Sequence, residues 1–311
     1  MRAAVVEECG RPPAVRSVPR PLAGAGDVLV SVTCAPITPL DRLCATGVSY
    51  FGAPALPYVP GVQGVGLAPD GSRVWFPTSA GMAPGDGSLA EVCAVPSSDL
   101  VRLPDGCTDV AAASLGLSAV AAWMALTWRG QLVAGENVVV LGAGGAVGQV
   151  ALRAARLLGA GTVVGVSRLA REGCIPLDPV STLAERLRDA IGSADVVIDP
   201  VFGEPAAAAA SVLAAGGRLV NLGGSADDSA VFSSSLLRGR GISVLGYSNN
   251  ALSRSERAEA LEIIFGYAAS GDLSVDHYVA GLDEVGEAWD STRAGRAVVR
   301  VTEVPSAVRV P

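Results

Sequence analysis

A glycine-rich turn between apolar segments carries the clearest chemical signal in this sequence. Residues 138–141 are apolar, residues 142–148 read Gly-Ala-Gly-Gly-Ala-Val-Gly, and a second apolar run at 162–166 follows an alanine- and leucine-rich segment. This order predicts a strand, a tight turn, a helix and a second strand, the unit that holds a dinucleotide pyrophosphate at a helix N-terminus. Glycines let backbone N–H groups approach phosphate oxygens that a Cβ atom would keep away. Unless the turn belongs to an ordinary α/β core, the phosphate-binding residues are Gly142, Gly144, Gly145, Ala146, Val147 and Gly148.

Several residue types that would support other chemistry are missing or scattered. All 23 basic residues are arginine, which excludes Schiff-base catalysis by lysine, a P-loop lysine and a lysine general base. His277 is the single histidine, so the sequence does not favour a histidine-rich metal site or a Ser-His-Asp triad. The six cysteines contain no Cys-x-x-Cys pair, a distribution that favours free thiols over a zinc site or a disulfide framework.

Length and charge narrow the class of protein further. The 311 residues suffice for two domains, and half of them are apolar, which is enough for a large core. A net charge of -7 gives no basic surface for nucleic acid or for an anionic membrane. No stretch of about 18 uninterrupted apolar residues is present, and the N-terminus has no signal-peptide pattern. We therefore expect a cytoplasmic protein with a small-molecule substrate and with neither a nucleic-acid nor a membrane partner.

The elements around the turn indicate two domains of different type. Up to about residue 110, short alternating strands separated by Gly-, Pro- and Asp-rich turns favour a partly open barrel. The strands of a doubly wound parallel sheet are marked by Val138, Thr162, Ile175, Val196, Leu219 and Val244. Helices are predicted over residues 111–128, 183–191, 205–215 and 255–270. Strand-like pieces return after residue 271, which predicts that the parallel-sheet domain is inserted into the β-rich one.

Four segments outside the turn, together with it, resemble one family over nearly the whole chain. They are Pro-Leu-Asp-Arg-Leu at 39–43, Leu-Pro-Tyr-Val-Pro-Gly-Val-Gln-Gly-Val-Gly at 56–66, Gly-Ser-Leu-Ala-Glu-Val at 87–92 and Leu-Ser-Ala-Val-Ala-Ala-Trp at 117–123. On these motifs the chain resembles the medium-chain dehydrogenase/reductase superfamily, in its zinc-free quinone oxidoreductase branch. The resemblance implies an α/β fold, with a GroES-like β-rich catalytic domain (residues 1–113 and 249–311) and an inserted Rossmann domain (residues 114–248). It also implies NADPH as the cofactor and a homodimer.

The departures from the family pattern concern the metal and the substrate pocket. In zinc-dependent members, a zinc cysteine, a zinc histidine and a glutamate next to that histidine occupy three positions. This chain has Thr38, Val62 and Gln63 at these positions, and the four-cysteine structural zinc lobe is missing. These side chains do not supply the thiolate and imidazole that zinc prefers, so no metal is predicted. Where quinone reductases carry tyrosines, this chain has Leu43 and Ser49, the latter next to Tyr50. An altered pocket follows, which makes a generic quinone a doubtful substrate.

The end of the second strand predicts which nicotinamide cofactor is used. NAD-preferring sites place Asp or Glu there, whereas this chain has Ser167 and Arg168, a pair that suits a 2′-phosphate unless Arg168 is merely solvated. Compared with the family, the helix after Arg168 is several residues short, which can reshape the adenosine pocket. The further cofactor-binding residues predicted are Ser118, Ser167, Arg168, Leu222, Gly223, Tyr247 and Asn249.

The leading hypothesis is an NADPH-dependent reductase of a polarised C=C bond, of the enone or quinone type, that works without metal. Hydrogen-bond donors would stabilise the developing oxyanion, and the candidates are Thr38, Tyr50 and Tyr247. Each has an alternative role, since Tyr50 can simply pack and Thr38 can contact the nicotinamide ribose. Two other functions stay open: a reductive cyclase or tailoring reductase in natural-product biosynthesis, and a non-catalytic NADPH-binding sensor or scaffold.

Overall fold

A computed structural model describes residues 1–302 of the protein. The strands are β1 (Arg2–Val5), β2 (Ala14–Ser17), β3 (Asp27–Pro36), β4 (Gln63–Leu67), β5 (Arg73–Pro77), β6 (Val92–Pro96), β7 (Val101–Arg102), β8 (Val138–Val140), β9 (Val163–Ser167), β10 (Cys174–Pro176), β11 (Ala194–Asp199), β12 (Leu213–Asn221), β13 (Ser243–Gly246), β14 (His277–Gly281) and β15 (Arg296–Arg300). The helices are α1 (Pro39–Ala45), α2 (Asp109–Met124, continued by a π-helical turn Ala125–Arg129), α3 (Ala146–Leu157), α4 (Leu183–Ile191), α5 (Gly203–Ala210), α6 (Ser234–Arg240), α7 (Arg254–Ser270) and α8 (Val285–Asp290). Short 3-10 helices lie at Ser97–Asp99, Val180–Thr182, Asn249–Ala251 and Leu282–Glu284.

The first of two units contains residues 1–116, 268–270 and the described residues from 275 onward. Its main sheet has seven strands, in the order β14-β15-β3-β4-β5-β7, with β6 paired to β3. Strand β3 is central because it pairs antiparallel with β4, β6 and β15. Val30, Val32, Phe76 and Leu89 are fully buried and form part of one apolar core with the smaller sheet β1-β2. The predicted β-rich fold of this part of the chain is confirmed.

The second unit contains residues 117–267 and 271–274 and is built on a six-stranded parallel sheet. The strand order is β10-β9-β8-β11-β12-β13, which is the doubly wound order 3-2-1-4-5-6 when the six strands are counted along the chain. The three residues of β8 are fully buried, as expected of a strand covered on both faces. All six predicted strands are present, so the inserted parallel sheet is confirmed.

Helix α5 is shorter than the sequence predicts. The predicted helix over 205–215 ends in the structure at Ala210, and β12 begins at Leu213. Alanine favours a helix, but Leu213 is fully buried and pairs with Ala194 of β11. The Arg240 guanidinium also binds the carbonyl oxygens of Ser211 and Leu213, at 3.1 and 2.7 Å. Tertiary contacts therefore override the propensity of the alanine run.

The connection from β9 to β10 contains no helix. It consists of the six residues 168–173, and in the parallel pairing Cys174 stands opposite Gly165. The chain therefore returns along the sheet by only two residues before β10 begins. Parallel neighbours are usually joined by a crossover of a dozen or more residues. The shortening predicted after Arg168 is thus complete loss of a helix at this point.

Helix α2 is interrupted at the boundary of the two units. Gly116 has φ 35° and ψ −131°, which no residue of a regular helix adopts. The units meet in sequence between residues 116 and 117, and residues 249–267 belong to the second unit, whereas the sequence-based boundaries lie at 113/114 and 248/249. Within residues 1–302, the helical segment Asp109–Arg129 is long and apolar enough to cross a membrane, with a mean hydropathy of 1.7. Because 61% of that stretch is buried inside the protein, a core helix accounts for it equally well.

Candidate functional site

The glycine turn of the second unit follows β8 and leads directly into α3. Gly142 has φ +64°, and a Cβ atom on Gly148 would overlap the Gly142 carbonyl oxygen and lie 2.7 Å from Ala143 Cα. Gly145 is the N-cap residue of α3, and no side chain caps this helix. The N–H groups of the first turn are thus left for a ligand, and the cradle exists only because Cβ atoms are missing from it. These observations fit a pyrophosphate.

The walls of the turn come from the ends of the neighbouring strands. A Cβ atom on Gly142 would lie 3.1 Å from Val201 Cγ2 and 3.2 Å from Pro200 Cγ. A Cβ atom on Gly144 would lie 3.0 Å from Ser167 Oγ, which places this buried hydroxyl directly against the turn. Arg168 follows Ser167 and is exposed. The end of β9 therefore presents a hydroxyl and a guanidinium group where a carboxylate would hold the ribose hydroxyls of NAD.

Asp199 fixes the ends of β11 and β12 through both its buried carboxylate and its backbone carbonyl oxygen. Asp199 Oδ1 accepts hydrogen bonds from the N–H groups of Val201 and Phe202, at 2.9 and 2.8 Å. The Asn221 amide donates to the Gly223 carbonyl oxygen at 2.9 Å, and the Leu222 N–H donates to the Asp199 carbonyl oxygen at 2.8 Å. Burial raises the pKa of Asp199 despite the hydrogen bonds. The predicted residues Leu222 and Gly223 are thus fixed at the carboxyl edge of the sheet.

Phe202 is a feature that the sequence analysis missed. Its backbone has φ 59° and ψ −162°, a region that is essentially restricted to glycine. Its ring lies 6.2 Å from that of Phe232, centroid to centroid, and both rings pack on the core of the second unit. The residue type does not predict this conformation, because a phenylalanine between Val201 and Gly203 indicates only a side chain that packs in the core.

Tyr247, Asn249 and Leu117 form a hydrogen-bonded chain beside the predicted residue Ser118. The Tyr247 hydroxyl donates to Asn249 Oδ1 at 2.8 Å, and Asn249 Nδ2 donates to the Leu117 carbonyl oxygen at 3.0 Å. Burial raises the pKa of Tyr247, so it stays protonated at neutral pH. The Trp128 ring approaches Tyr247 edge-on, with centroids 6.0 Å apart. The structure therefore brings three predicted residues together, and the Tyr247 proton is directed at Asn249.

Thr38 and Asp41 of the first unit form a closed capping box at the start of α1. The Thr38 hydroxyl donates to Asp41 Oδ2 at 2.6 Å and accepts from the Asp41 N–H at 3.2 Å. The other oxygen, Oδ1, accepts from the N–H groups of Gly61 and Val62, at 3.0 and 2.8 Å. Asp41 is buried, which raises the pKa of its carboxyl group against these hydrogen bonds. In this arrangement the Thr38 proton points at Asp41.

The side chains at the family's zinc positions are apolar or hydrogen-bonded within the first unit. Val62 is buried, and Gln63 is buried with its Nε2 3.4 Å from the Ala113 carbonyl oxygen. A Cβ atom on Gly116 would overlap the Gln63 amide, so the break in α2 makes room for this side chain. Among residues 1–302, no three His, Cys, Asp or Glu side chains gather where they could hold a metal ion.

Tyr50 lies in an exposed part of the first unit. Its side chain is 77% exposed, and its ring packs against that of Phe51 with centroids 4.2 Å apart. Thr38 and Tyr50 thus differ sharply, since one hydroxyl is buried in a closed network and the other faces solvent.

Comparison with known proteins finds similarity to dehydrogenases and quinone oxidoreductases. Residues 146–266 match the family described as zinc-binding dehydrogenase. The chain is 33% identical over 215 residues to a zinc-type alcohol dehydrogenase-like protein of Schizosaccharomyces pombe, an overlap of 66% of this chain and 64% of that protein. It is 25% identical over 311 residues to a quinone oxidoreductase-like protein 2 homolog of Nematostella vectensis, which covers 93% of this chain and 84% of that one.

A solved structure is similar to this protein over almost the full length of the chain. The quinone oxidoreductase of Thermus thermophilus, studied also in complex with NADPH, has a TM-score of 0.81 and 27% identity, covering 97% of this chain and 100% of that one. This chain covers just under two thirds of the length of the Schizosaccharomyces pombe protein, whereas it covers the whole of the Thermus thermophilus chain.

Proposed function

Because the chain belongs to the medium-chain dehydrogenase/reductase superfamily of NAD(P)H-dependent oxidoreductases and is quinone oxidoreductase-like, we propose that it is a zinc-independent reductase. Its cofactor is NADPH, and its substrate is a small molecule with a polarised C=C bond of the enone or quinone type. The observation that carries this proposal is the donor set at the zinc positions. Thr38 is bound to Asp41, Val62 is apolar and Gln63 is buried, so none of them offers a thiolate or imidazole.

The second unit supports the choice of NADPH. The uncapped start of α3 would hold the pyrophosphate, and Ser167 with Arg168 would hold a 2′-phosphate. When bound, the nicotinamide supplies a hydride, so the protein has to bind, orient and protonate rather than generate a strong nucleophile. Reduction of an enone by that hydride would also consume one proton, which a hydroxyl group of this chain or water would have to supply.

The proton and the oxyanion contacts have to come from the few hydroxyl groups identified above. The Thr38 hydroxyl already donates to Asp41, and the Tyr247 hydroxyl already donates to Asn249. Each of these two hydroxyls can therefore position a bound molecule or accept a hydrogen bond from it. Within residues 1–302 the Tyr50 hydroxyl donates to no protein acceptor, which makes it the favoured proton donor or relay to water. The hydrogen bond between Tyr247 and Asn249 would hold the loop after β13 in a position to contact the nicotinamide.

The experiment is a substrate panel with the purified protein. We expect NADPH to be consumed with enones and quinones, and no zinc to be retained after incubation and dialysis, as measured by elemental analysis. Oxidation of a simple alcohol that depends on stoichiometric bound zinc would overturn the proposal. Absence of turnover with every enone and quinone would instead favour a protein that only binds the cofactor.

A matched pair of arginine variants tests the cofactor. Arg168→Ala should raise the dissociation constant for NADPH by about tenfold, because a charge-assisted hydrogen bond contributes about 1.5 kcal/mol or more. The same change should leave the value for NADH unaltered. Arg188→Ala, at an exposed position on α4, is the control and should change neither value. If NADH binds better than NADPH and Arg168→Ala changes neither, the assignment of NADPH is wrong.

We also propose a homodimer. Strand β13 lies at an edge of the six-stranded sheet, and Val244 within it is 38% exposed. An exposed edge strand has unpaired backbone groups that a second copy can complete. Light scattering should give twice the mass of the chain at micromolar concentration, and a monomer at that concentration would contradict this part of the proposal.

A further inference from the structure

The first unit contains a cavity of about 660 Å³, and none of the candidate site residues lines it. Its walls come from β3, β5, the start of α2 and the end of β15, all of which belong to that unit. Clefts that bind small molecules usually enclose about 300–1,000 Å³. The cavity is therefore large enough for a small organic ligand, and the polar groups in its wall decide which kind.

A bulge in β3 turns two consecutive side chains toward this cavity. The pairing of β3 with β4 shifts between Val32 and Cys34, which leaves Thr33 as the extra residue. Neighbouring side chains of a regular strand point to opposite faces, whereas a bulge can re-aim one of them. Thr33 and Cys34 accordingly both line the cavity. Arg300 stands directly opposite Cys34 in the antiparallel pairing of β15 with β3, so the two side chains share one face of the sheet.

Among the described residues that line the cavity, Asp109 carries the one carboxylate, and this group already binds neighbouring donors. Its Oδ1 accepts from Nε and Nη2 of Arg73, at 2.8 and 2.5 Å. Its Oδ2 accepts from the Thr33 hydroxyl at 2.6 Å. Arg73 Nη2 also donates to the Cys107 carbonyl oxygen at 2.5 Å. The carboxylate is thus neutralised within the wall and offers little attraction to a cation.

Three donors of the wall, in contrast, have no acceptor in the part of the chain that the structure describes. The Arg300 side chain makes no hydrogen bond or ion pair within residues 1–302, and Arg73 Nη1 donates to none of these residues. The Thr108 hydroxyl oxygen accepts from the Ala111 N–H at 3.1 Å, but its proton has no acceptor among the same residues. Guanidinium and hydroxyl groups of this kind are donors suited to an oxyanion.

The two thiols in the wall do not oppose a negative charge. Cys34 and Cys107 are buried, and burial raises the pKa of each thiol to about 11, so both are uncharged at neutral pH. The positive charge of Arg300 acts on the Cys34 thiol in the opposite direction, which places that charge close to the thiol. Two guanidinium groups and one carboxylate give the lining a net positive charge, although the whole chain carries −7.

We propose that this cavity binds the phosphate group of a small organic phosphate monoester. Such a group carries nearly two negative charges and three acceptor oxygens, which matches two guanidinium groups and a hydroxyl that come from three separate parts of the chain. A carboxylate, with one charge and two oxygens, would satisfy fewer of these donors. The volume leaves room for the organic part of the ester. The proposal is independent of the proposed reductase activity, because the residues involved belong to neither the glycine turn nor the zinc positions.

Calorimetric titration with phenyl phosphate tests the proposal, in the presence of saturating NADPH so that the glycine turn is filled. We expect one equivalent to bind, and benzoate to bind at least about fivefold more weakly. Arg300→Ala and Arg300→Gln should each weaken the binding of phenyl phosphate by about tenfold or more, because charge-assisted hydrogen bonds are lost. Arg20→Ala is the matched control. This exposed arginine of the same unit does not line the cavity, so its removal should change the affinity by less than about twofold.

Four results would overturn the proposal. They are absence of binding to the unaltered protein, equal affinities for phenyl phosphate and benzoate, equal affinities in Arg300→Ala and Arg20→Ala, and displacement of phenyl phosphate by NADPH. The last result would show that the probe binds in the glycine turn. Thermal unfolding of each variant checks the fold, which should be unchanged because the Arg300 guanidinium binds no other residue within 1–302. A protein that fails to bind NADPH would contradict the proposed function, while the comparison of Arg300 with Arg20 would still decide the present proposal.

Discussion

Helices α1 and α3 both begin just after a strand, yet their N-termini are built in opposite ways. At α1 the N-cap residue is Thr38, and its hydroxyl and Asp41 close a capping box that also binds the next loop. At α3 the N-cap residue is Gly145, and no side chain caps the helix with a hydrogen bond. One helix start is thus completed by its own residues, whereas the other remains open for an anion.

The difference shows how a single residue type decides between structure and binding. A threonine with an aspartate three residues later satisfies the backbone donors internally and ties the helix to its surroundings. Glycine at the same place leaves the donors available and, with Gly148, lets the helix approach the turn closely. The more a helix start contributes to stability through its own side chains, the less it offers to a ligand.

The largest effect is expected where the capping carboxylate is removed. Asp41→Ala should lower the free energy of unfolding by about 3 kcal/mol, because the buried N–H groups of Gly61 and Val62 lose their acceptor. NADPH affinity should stay within about threefold, since the glycine turn lies in the other unit. Denaturant unfolding and calorimetry measure the two quantities. Asp283→Ala, which removes an exposed carboxylate, is the control and should cost less than about 0.5 kcal/mol.

A substitution in the glycine turn should, unlike Asp41→Ala, reduce the affinity for NADPH. Gly148→Ala is expected to reduce NADPH affinity at least tenfold and stability by about 2 kcal/mol, because the added methyl group overlaps the Gly142 carbonyl. Gly266→Ala is the matched control, since a Cβ atom there meets nothing within 4 Å and the residue lies in helix α7. That variant should gain about 0.5 kcal/mol, as glycine disfavours a helix. Equal affinities in the two variants would contradict the comparison.

Phe202 extends the comparison to the wall of the turn, through a pair of variants that both remove the ring. Phe202→Gly should be more stable than Phe202→Ala by about 1–2 kcal/mol, because only glycine adopts the observed backbone angles without strain. In an ordinary loop the order would be reversed or the difference absent, since alanine restricts the unfolded chain. Thermal unfolding of both variants decides between these outcomes.

The smallest expected effect concerns the cap itself. Thr38→Ser keeps the hydroxyl and should match the unaltered protein, whereas Thr38→Val removes it and should lose about 1 kcal/mol. Turnover adds a second measurement, because a role for the hydroxyl in catalysis would lower kcat in Thr38→Val by more than its stability predicts. If Thr38→Ser and Thr38→Val are equally stable, the capping box contributes nothing to the fold.

Much of the fold was predictable from the sequence, for reasons that particular segments make clear. The apolar run at 138–140 is followed by glycines in a pattern typical of a strand and a phosphate-binding turn. The apolar strand β11 is also buried over most of its length. The end of α5 was not predictable, because alanines continue to residue 210 and beyond while burial of Leu213 fixes the start of β12.

The residues of the candidate site were easier to predict from the sequence than the hydrogen bonds that they make. The glycine turn and Ser167 lie together as the pattern indicates, and Tyr247 lies beside Asn249. Which acceptor takes the proton of Thr38 depends on where the chain brings Asp41 and the amides of 61–62, and no local pattern contains that information. The strained backbone of Phe202 was likewise not predictable, because nothing in an aromatic residue type favours these backbone angles.

The pairing of β3 with β15 has a consequence for synthesis on the ribosome. Residues 34–36 of β3 pair with residues 298–300, more than 260 residues later in the chain. The second unit is nearly contiguous, from 117 to 267, so its parallel sheet can assemble while the last strands are still being translated. The central strand of the first unit meanwhile keeps one edge open until β15 has left the exit tunnel. The second unit can therefore be complete before the main sheet of the first unit acquires its last strand.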